Sequence, residues 1–477
     1  MATREELIRQ ETMMGVVPIL TNERIYSFLD LFLVTSSFSI ATWCYTQGGY
    51  IAQFLNFKEL LINVFCVNIA FIFITMLPVL YAVRYGIDLW IWLRAVLGIR
   101  GVAILATVIS YANFGWYAVC ANLFATSMIH LVRILFGVEL NPAIWERILG
   151  VICVLLGTII ALGGPEVIKW TNRFLTVALL SCGAIVVGVC LFSVPFSDIL
   201  AVKPPMAASN SPLVNFMLSA EGNAAFALSW TTQALVLPRL ARTERSGYWA
   251  TSLAYGIVAP FFIFAGGVMA LAMAARTGVY ECDPTAALAT LAGPGFSILS
   301  LLLVAFANIG TQGVGSYVNS MVIKSGIPNV SYRLLVMIAF VYVSALTVWG
   351  GVAEHFGAYI SLAAYLQGPI MGMALVDYLI VRKRKLSLKS AYFIEGHDAY
   401  RYPGGVNPIG VACLVITFVV AFLFVYNPVN ASIKSSVFYI TTGTGFTLIM
   451  GGLLYWLASL TPLKNYMLRD RDDLEIV

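Results

Sequence analysis

The chain has 477 residues, of which 60% are hydrophobic and only 11% charged, with a formal net charge of +5. An ordinary soluble domain carries about 25% charged residues, so this composition excludes a water-solvated globule and makes the bilayer the natural solvent. The small positive balance gives no reason to expect nucleic acid as a partner.

The N-terminal stretch MATREELIRQET is polar and mixed in charge. It reads as a cytosolic lead-in over residues 1–25, not a signal peptide. A spanning helix needs about 20 mostly apolar residues. Such runs recur near 26–53, 60–84, 102–131, 146–163, 172–195, 218–239, 250–275, 294–323, 332–350, 359–381, 409–426 and 436–460. They predict one transmembrane domain over 26–460 with about twelve helices, and a cytosolic tail over 461–477. The run from Arg147 to Gly163 is the shortest. A β-barrel would show alternating segments of about ten residues, and none is visible.

Basic residues orient the chain. With the N-terminus inside, only Lys58, Arg133, Arg147, Lys203, Arg276 and Lys434 of the 28 Lys and Arg fall on the outer side, and the other 22 on the cytosolic side. That bias follows the positive-inside rule and predicts a multi-pass protein of the plasma membrane with both termini in the cytosol. The cluster Arg382-Lys383-Arg384-Lys385 is expected to anchor near anionic headgroups. Among the eight cysteines only Cys282 lies in an outer loop, so no disulfide framework is implied.

Several spans are polar in their middles. The first carries Trp43-Cys44-Tyr45-Thr46-Gln47-Gly48-Gly49, and a glycine pair is a poor helix centre because each Gly costs about 1 kcal/mol relative to Ala. The sixth carries Glu221-Gly222-Asn223 and then Ser229-Trp230-Thr231-Thr232-Gln233. These two are the first helices of two five-helix halves that cross in opposite directions. Paired interruptions at matching places in inverted repeats point to a transporter's midplane site, which makes Trp43, Gln47, Ser229 and Trp230 candidates; close helix packing at small residues is the plain alternative.

In the eighth span Asn308, Thr311, Gln312, Ser316 and Asn319 share one helical face. Hydrogen-bonding groups are expensive in lipid without partners or a wet cavity, so this stripe is either a solute path or a polar helix seam. Asn113, Trp116, Tyr117 and Cys120 form a similar stripe in the third. Trp116 and Trp230 sit away from the interfacial belts and could sandwich a planar ligand. Asp30, Glu221 and Asp377 are read as near span ends, leaving the deep interior without an evident carboxylate or histidine. That pattern favours a hard cation such as sodium, held by carbonyls and hydroxyls, over a proton relay. No P-loop, HExxH or paired CxxC occurs, so no enzymatic activity and no cofactor is expected.

The segment GPIMGMALVDYLIVRKRKLSLKSAYFIEGHDAYRYPGGVNPIG from Gly368 resembles the end of the tenth span and the following loop of the nucleobase:cation symporter-1 family, through Pro369, Gly372, Asp377, Tyr378, Arg382, Tyr402, Gly405 and Asn407. RYGIDLWIWLRAVLGIRG at 84–101, Gly115-Trp116-Tyr117 and Ile309-Gly310-Thr311-Gln312 are similar to other elements of that family. The resemblance implies an all-α inverted five-plus-five repeat, the leucine-transporter-like fold, with two further C-terminal helices. It implies symport of a nucleobase, allantoin or hydantoin with Na+, or alternatively H+, by alternating access.

Carried over by position, Trp116 and Trp230 would stack on the two faces of the ring, with Cys120 and Ser316 where relatives place Gln and Asn. Gln312 completes the candidate substrate set. Sodium would meet backbone oxygens at Ser39, Thr42 and Ala307, the Thr311 hydroxyl and the position of Gly310. Gly310 offers no hydroxyl, which leaves that ion site one ligand poorer, and Arg239 stands where an Asp ends the family's sixth span. An amino-acid or amine carrier on the same fold, and a channel that does not concentrate solute, remain the alternatives.

Overall fold

The structure is a computed structural model that describes residues 17–393 and 396–470, apart from the side chains at 165, 166, 168–170 and 172–174. Of the expected tails at 1–25 and 461–477, residues 1–16 and 471–477, with Arg4, Arg9 and Arg471, lie outside the described residues, as do the side chains of Lys169 and Arg173.

Among the described residues nine helices are long and apolar enough to cross a bilayer, and a tenth is a bent pair. In chain order, span one is Phe28–Ser39 with Trp43–Ala52, bent by 58°, and span two is Phe57–Tyr85. Spans three, four and five are Ile99–Phe136, Pro142–Leu162 and Leu175–Ser193. Span six is Pro212–Leu228, resuming as Thr231–Ala234. Spans seven to eleven are Glu244–Thr277, Pro294–Gly326, Tyr332–Trp349, Phe356–Val381 and Pro403–Val425. Span twelve is Gly443–Ser459. Pro212–Leu228 and Gly443–Ser459 have 17 residues each, about 25 Å of helix, which is the short end of what crosses a membrane.

Spans seven and ten are the most enclosed, 72% and 78% buried in their apolar windows, against 28% for spans four and nine. Span eight lies along span three, span twelve along span ten, and the outer half of span one along span seven. That last pairing corrects the reading of Gly48 and Gly49 as a helix break. Both lie inside the intact helix Trp43–Ala52, and a Cβ on Gly48 would stand 1.9 Å from the Ile263 carbonyl oxygen. The glycines let two backbones meet. The break itself comes three residues before Trp43, at Ile40–Thr42.

On the side expected to be cytosolic, the helix Leu89–Leu97 is fully buried. Asp88 caps its first turn by accepting from the Ile91 N–H at 2.9 Å and also accepts from the Ser325 hydroxyl at 2.8 Å. Arg94 donates to the carbonyls of Ala391 and Ser325 at 2.7 and 2.8 Å. Two residues of the loop motif close the other end: Tyr402 donates to Ala95 O at 2.7 Å and Asn407 to Val96 O at 2.8 Å. A helix C-terminus leaves such carbonyls without intrahelical partners, and the motif supplies the donors. Arg382 does not face headgroups as its cluster suggested. It is buried, ion-paired with Asp377 and Asp470, and donates to Met467 O at 2.7 Å.

Candidate functional site

At the break in span one the freed backbone groups find local partners. The N–H groups of Cys44 and Tyr45 donate to Ala41 O and Thr42 O at 3.0 and 3.1 Å, and the Cys44 thiol donates to Ser39 O at 3.1 Å. The Ser39 hydroxyl donates to Ser36 O and, across the interface, to Ala254 O at the π-helical turn Ala254–Val258 of span seven, both at 3.1 Å.

Span six breaks at Ser229–Trp230, where Trp230 leaves the helix at φ −138°, ψ 6°. The Ser229 carbonyl accepts from Gln367 Nε2, and the Thr232 hydroxyl donates to Gln367 Oε1 at 2.7 Å. Gln367 Nε2 also reaches Asn113 Oδ1 at 3.3 Å. One amide from span ten thus clasps both ends of the break and ties them to span three, which is how non-helical backbone survives at this depth.

Between the two breaks lies a cavity of only about 10 Å³, lined by Phe38, Trp43, Asn113, Trp116, Tyr117, Trp230 and Gln233. Small-molecule pockets usually start near 300 Å³, so this one is contracted. Trp43 accounts for that. Its ring stands edge-on to Trp116, with centroids 5.3 Å apart, and to Trp230 at 6.1 Å. Phe226 meets both of those rings edge-on at 5.4 Å. The indole N–H groups of Trp43, Trp116 and Trp230 and the Asn113 amide nitrogen are buried without acceptors. Tyr117 and Gln233 are joined through Asn319, whose amide donates to the Tyr117 hydroxyl at 3.2 Å and accepts from Gln233 at 3.5 Å. The cavity is therefore aromatic, with spare donors.

The structure brings Trp43, Trp116 and Trp230 onto this one cavity, and sets Cys120 Sγ 4.0 Å from the Thr42 hydroxyl beside it. Gln47 lies one turn beyond Trp43, against Gly222, with neither amide atom partnered. Ser229 turns its hydroxyl back to Phe226 O at 3.1 Å. Gln312 packs on Gly157 of span four, and Ser316 is buried with the rest of the span-eight stripe but is not among the lining residues. Asn113 and Tyr117 belonged to the third-span stripe and Gln233 to the polar run after Trp230, so their sequence signals existed. Phe38 had none, being one apolar residue in an apolar helix.

At the candidate ion residues, the Thr42 hydroxyl donates to Asn308 Oδ1 and the Ser39 hydroxyl is engaged as described. The Thr311 hydroxyl is buried without a partner. Where a side chain would begin on Gly310, the Leu175 methyls stand at 3.0 and 3.1 Å. Ala307 is fully buried. Of the candidate hydroxyls only that of Thr311 makes no hydrogen bond; those of Ser39 and Thr42 donate, which leaves their oxygen lone pairs unused.

One expectation fails outright. Glu221 is not near a span end; it is the tenth residue of Pro212–Leu228 and 1% exposed.

A family model described as permeases for cytosine/purines, uracil, thiamine and allantoin matches residues 18–448. A hydantoin permease of Microbacterium maritypicum is 27% identical over 361 residues, covering 72% of this chain and 70% of that one. The purine-uracil permease NCS1 of Arabidopsis thaliana is 30% identical over 95 residues, 19% of this chain and 16% of its own. Among solved structures, Mhp1, a nucleobase-cation-symport-1 family transporter in a closed conformation with bromovinylhydantoin bound, aligns with a TM-score of 0.71 at 20% identity, over 96% of this chain and 99% of that one. A Na+-coupled sialic acid symporter in a substrate-bound outward-open state aligns at 0.60 and 14% identity, over 94% and 96%.

Proposed function

The chain belongs to the nucleobase:cation symporter family of cytosine, purine, uracil, thiamine and allantoin permeases, and from that premise we propose that it imports one small, carbonyl-bearing planar heterocycle together with a cation. It is a multi-pass membrane transporter with the leucine-transporter-like helical fold; the ring, the direction and the residues below are our reading.

The observation that carries it is the contracted aromatic cavity with four unsatisfied buried donors. A buried donor left without an acceptor costs about 1–3 kcal/mol, so a ligand that supplies oxygens gains where an apolar ligand does not. Trp116 and Trp230 offer the ring its flat faces, and offset stacking adds about 0.5–1.5 kcal/mol beyond area burial. Trp43 must swing aside for the ring to enter, which opens the cavity and couples loading to the outer half of span one. Hydantoin, allantoin and uracil suit this donor excess better than cytosine, whose exocyclic group is itself a donor.

The test is uptake into proteoliposomes by a panel of these rings with an imposed cation gradient. Accumulation of a dioxo ring, blocked by unlabelled hydantoin or uracil and untouched by free amino acids, is the expected result. Competition by an amino acid alone would move the chain to the amine-carrier reading. Flux that never exceeds the solute's own equilibrium would make it a channel.

A further inference from the structure

Glu221 lies at the middle of the first half of broken span six, and among the described residues no cation is paired with it. The ion pairs among the described residues include Arg84–Glu244, Arg382–Asp377, Arg382–Asp470 and Arg401–Asp398. Glu221 is held by neutral donors alone. Its two oxygens accept from the Thr444 N–H and the Thr444 hydroxyl, both at 2.8 Å, and the hydroxyls of Ser361 and Thr442 also turn to it. The titratable groups around it are phenols: Tyr50 of span one, Tyr365 of span ten and Tyr426 after span eleven.

We propose that Glu221 is a proton-binding site, and that the coupling cation of this transporter is H+ carried on the Glu221 carboxyl. The proposal rests on the symport reading above and names its cation, in place of the sodium the sequence favoured. Two observations carry it. An ionised carboxylate buried without a countercharge is expensive in a membrane, and such groups mark proton pathways. More telling is position. Glu221 sits nine residues before Trp230 on the half-helix whose Phe226 abuts both Trp116 and Trp230. A Cβ on its neighbour Gly222 would stand 3.3 Å from Gln47 Nε2. Gln47 lies one helical turn from Trp43, the ring that fills the cavity, and its amide oxygen accepts from nothing.

The device works as follows. The ionised carboxylate, gathering donors from spans ten and twelve, pins the first half of span six to helices outside the cavity. A proton from the outer water adds to one carboxylate oxygen and turns it into an O–H donor, so that oxygen no longer accepts as strongly from Thr444. Gln47 Oε1 accepts the new O–H, drawing span six towards span one while Trp43 yields to the ring. On the inner side the proton leaves to water and the pin re-forms. No bond other than O–H is made or broken.

The experiment compares wild type, Glu221→Gln and Thr444→Val in proteoliposomes with radiolabelled uracil and hydantoin, under a pH gradient with choline in place of sodium. Wild type is expected to accumulate its ring under the pH gradient alone. E221Q should lose that accumulation at least tenfold and still exchange ring for ring, a reaction that moves no net proton. The second measurement needs no substrate. Infrared difference spectra on acidification should show a protonated-carboxyl C=O band in wild type, absent in E221Q. In T444V the band should have a raised midpoint, because the ionised form has lost a donor. Wild-type accumulation that demands sodium and ignores pH, E221Q that accumulates normally, or a carboxyl band that survives in E221Q overturns the proposal. If no ring binds or exchanges in wild type while the infrared band behaves as stated, the substrate reading fails and the proton site stands.

Discussion

Single side chains set both the volume and the polarity of the cavity. Trp116→Ala removes one stacking face and should raise the dissociation constant of the transported ring ten- to a hundredfold, about 1.4–2.8 kcal/mol, read by ligand-induced thermal shift. Trp43→Ala acts the other way. It removes the ring that stands between Trp116 and Trp230, so purine-sized rings should compete in uptake where they do not in wild type. Gln367→Leu strips the clasp from the Ser229 carbonyl and the Thr232 hydroxyl. Leaving buried polar groups unpaired costs about 1–3 kcal/mol, and the melting temperature should fall even without ligand. The tryptophans were legible in the sequence because indoles rarely sit mid-span. Gln367 was not, since a lone amide in an apolar run looks the same whether it mends a break or packs against a neighbour.

Helices as units follow different rules from their residues. Apolar runs marked most spans to within a few residues, because hydrocarbon thickness imposes a length that composition must meet, but they started the sixth span six residues late and the twelfth seven residues early. The break in span one was misplaced for an equally physical reason. Helix propensity ranks Gly48-Gly49 as the weak point, yet Ile263, Gly266 and Gly267 of span seven hold that stretch helical by contact, and tertiary packing overrides propensity. Gly48→Ala tests this. Its Cβ would drive into the Ile263 carbonyl, where no side-chain rotation relieves the clash. Folded yield should drop sharply, beyond the ~1–3 kcal/mol of ordinary overpacking. By fluorescence-detected gel filtration, G48A should aggregate, whereas Ala at Gly137, which meets nothing within 4 Å but has φ of +64°, should show only mild backbone strain.

Across the molecule, the buried ion network at Arg382 joins span ten, Trp92 of the helix Leu89–Leu97 and the segment after span twelve. Arg382→Ala leaves Asp377 and Asp470 buried without their cation and should cost about 3–5 kcal/mol. Asp398→Ala breaks the exposed pair with Arg401 and should cost less than about 1 kcal/mol; thermal unfolding in detergent separates the two. The sequence showed the Asp377-Tyr378 and Arg382 motif without its reason, because the partner, Asp470, is 88 residues away. The unequal enclosure of the spans also decides where this chain can vary. Positions such as Ile159 of span four and Val341 of span nine face outward, where lipid solvates any apolar side chain equally well. Ala270 of span seven and Ile360 of span ten have no exposed surface. A saturation library should therefore separate into two populations along the chain: peripheral helices that drift freely among Leu, Ile, Val and Phe, and a two-helix axis whose alphabet is nearly frozen.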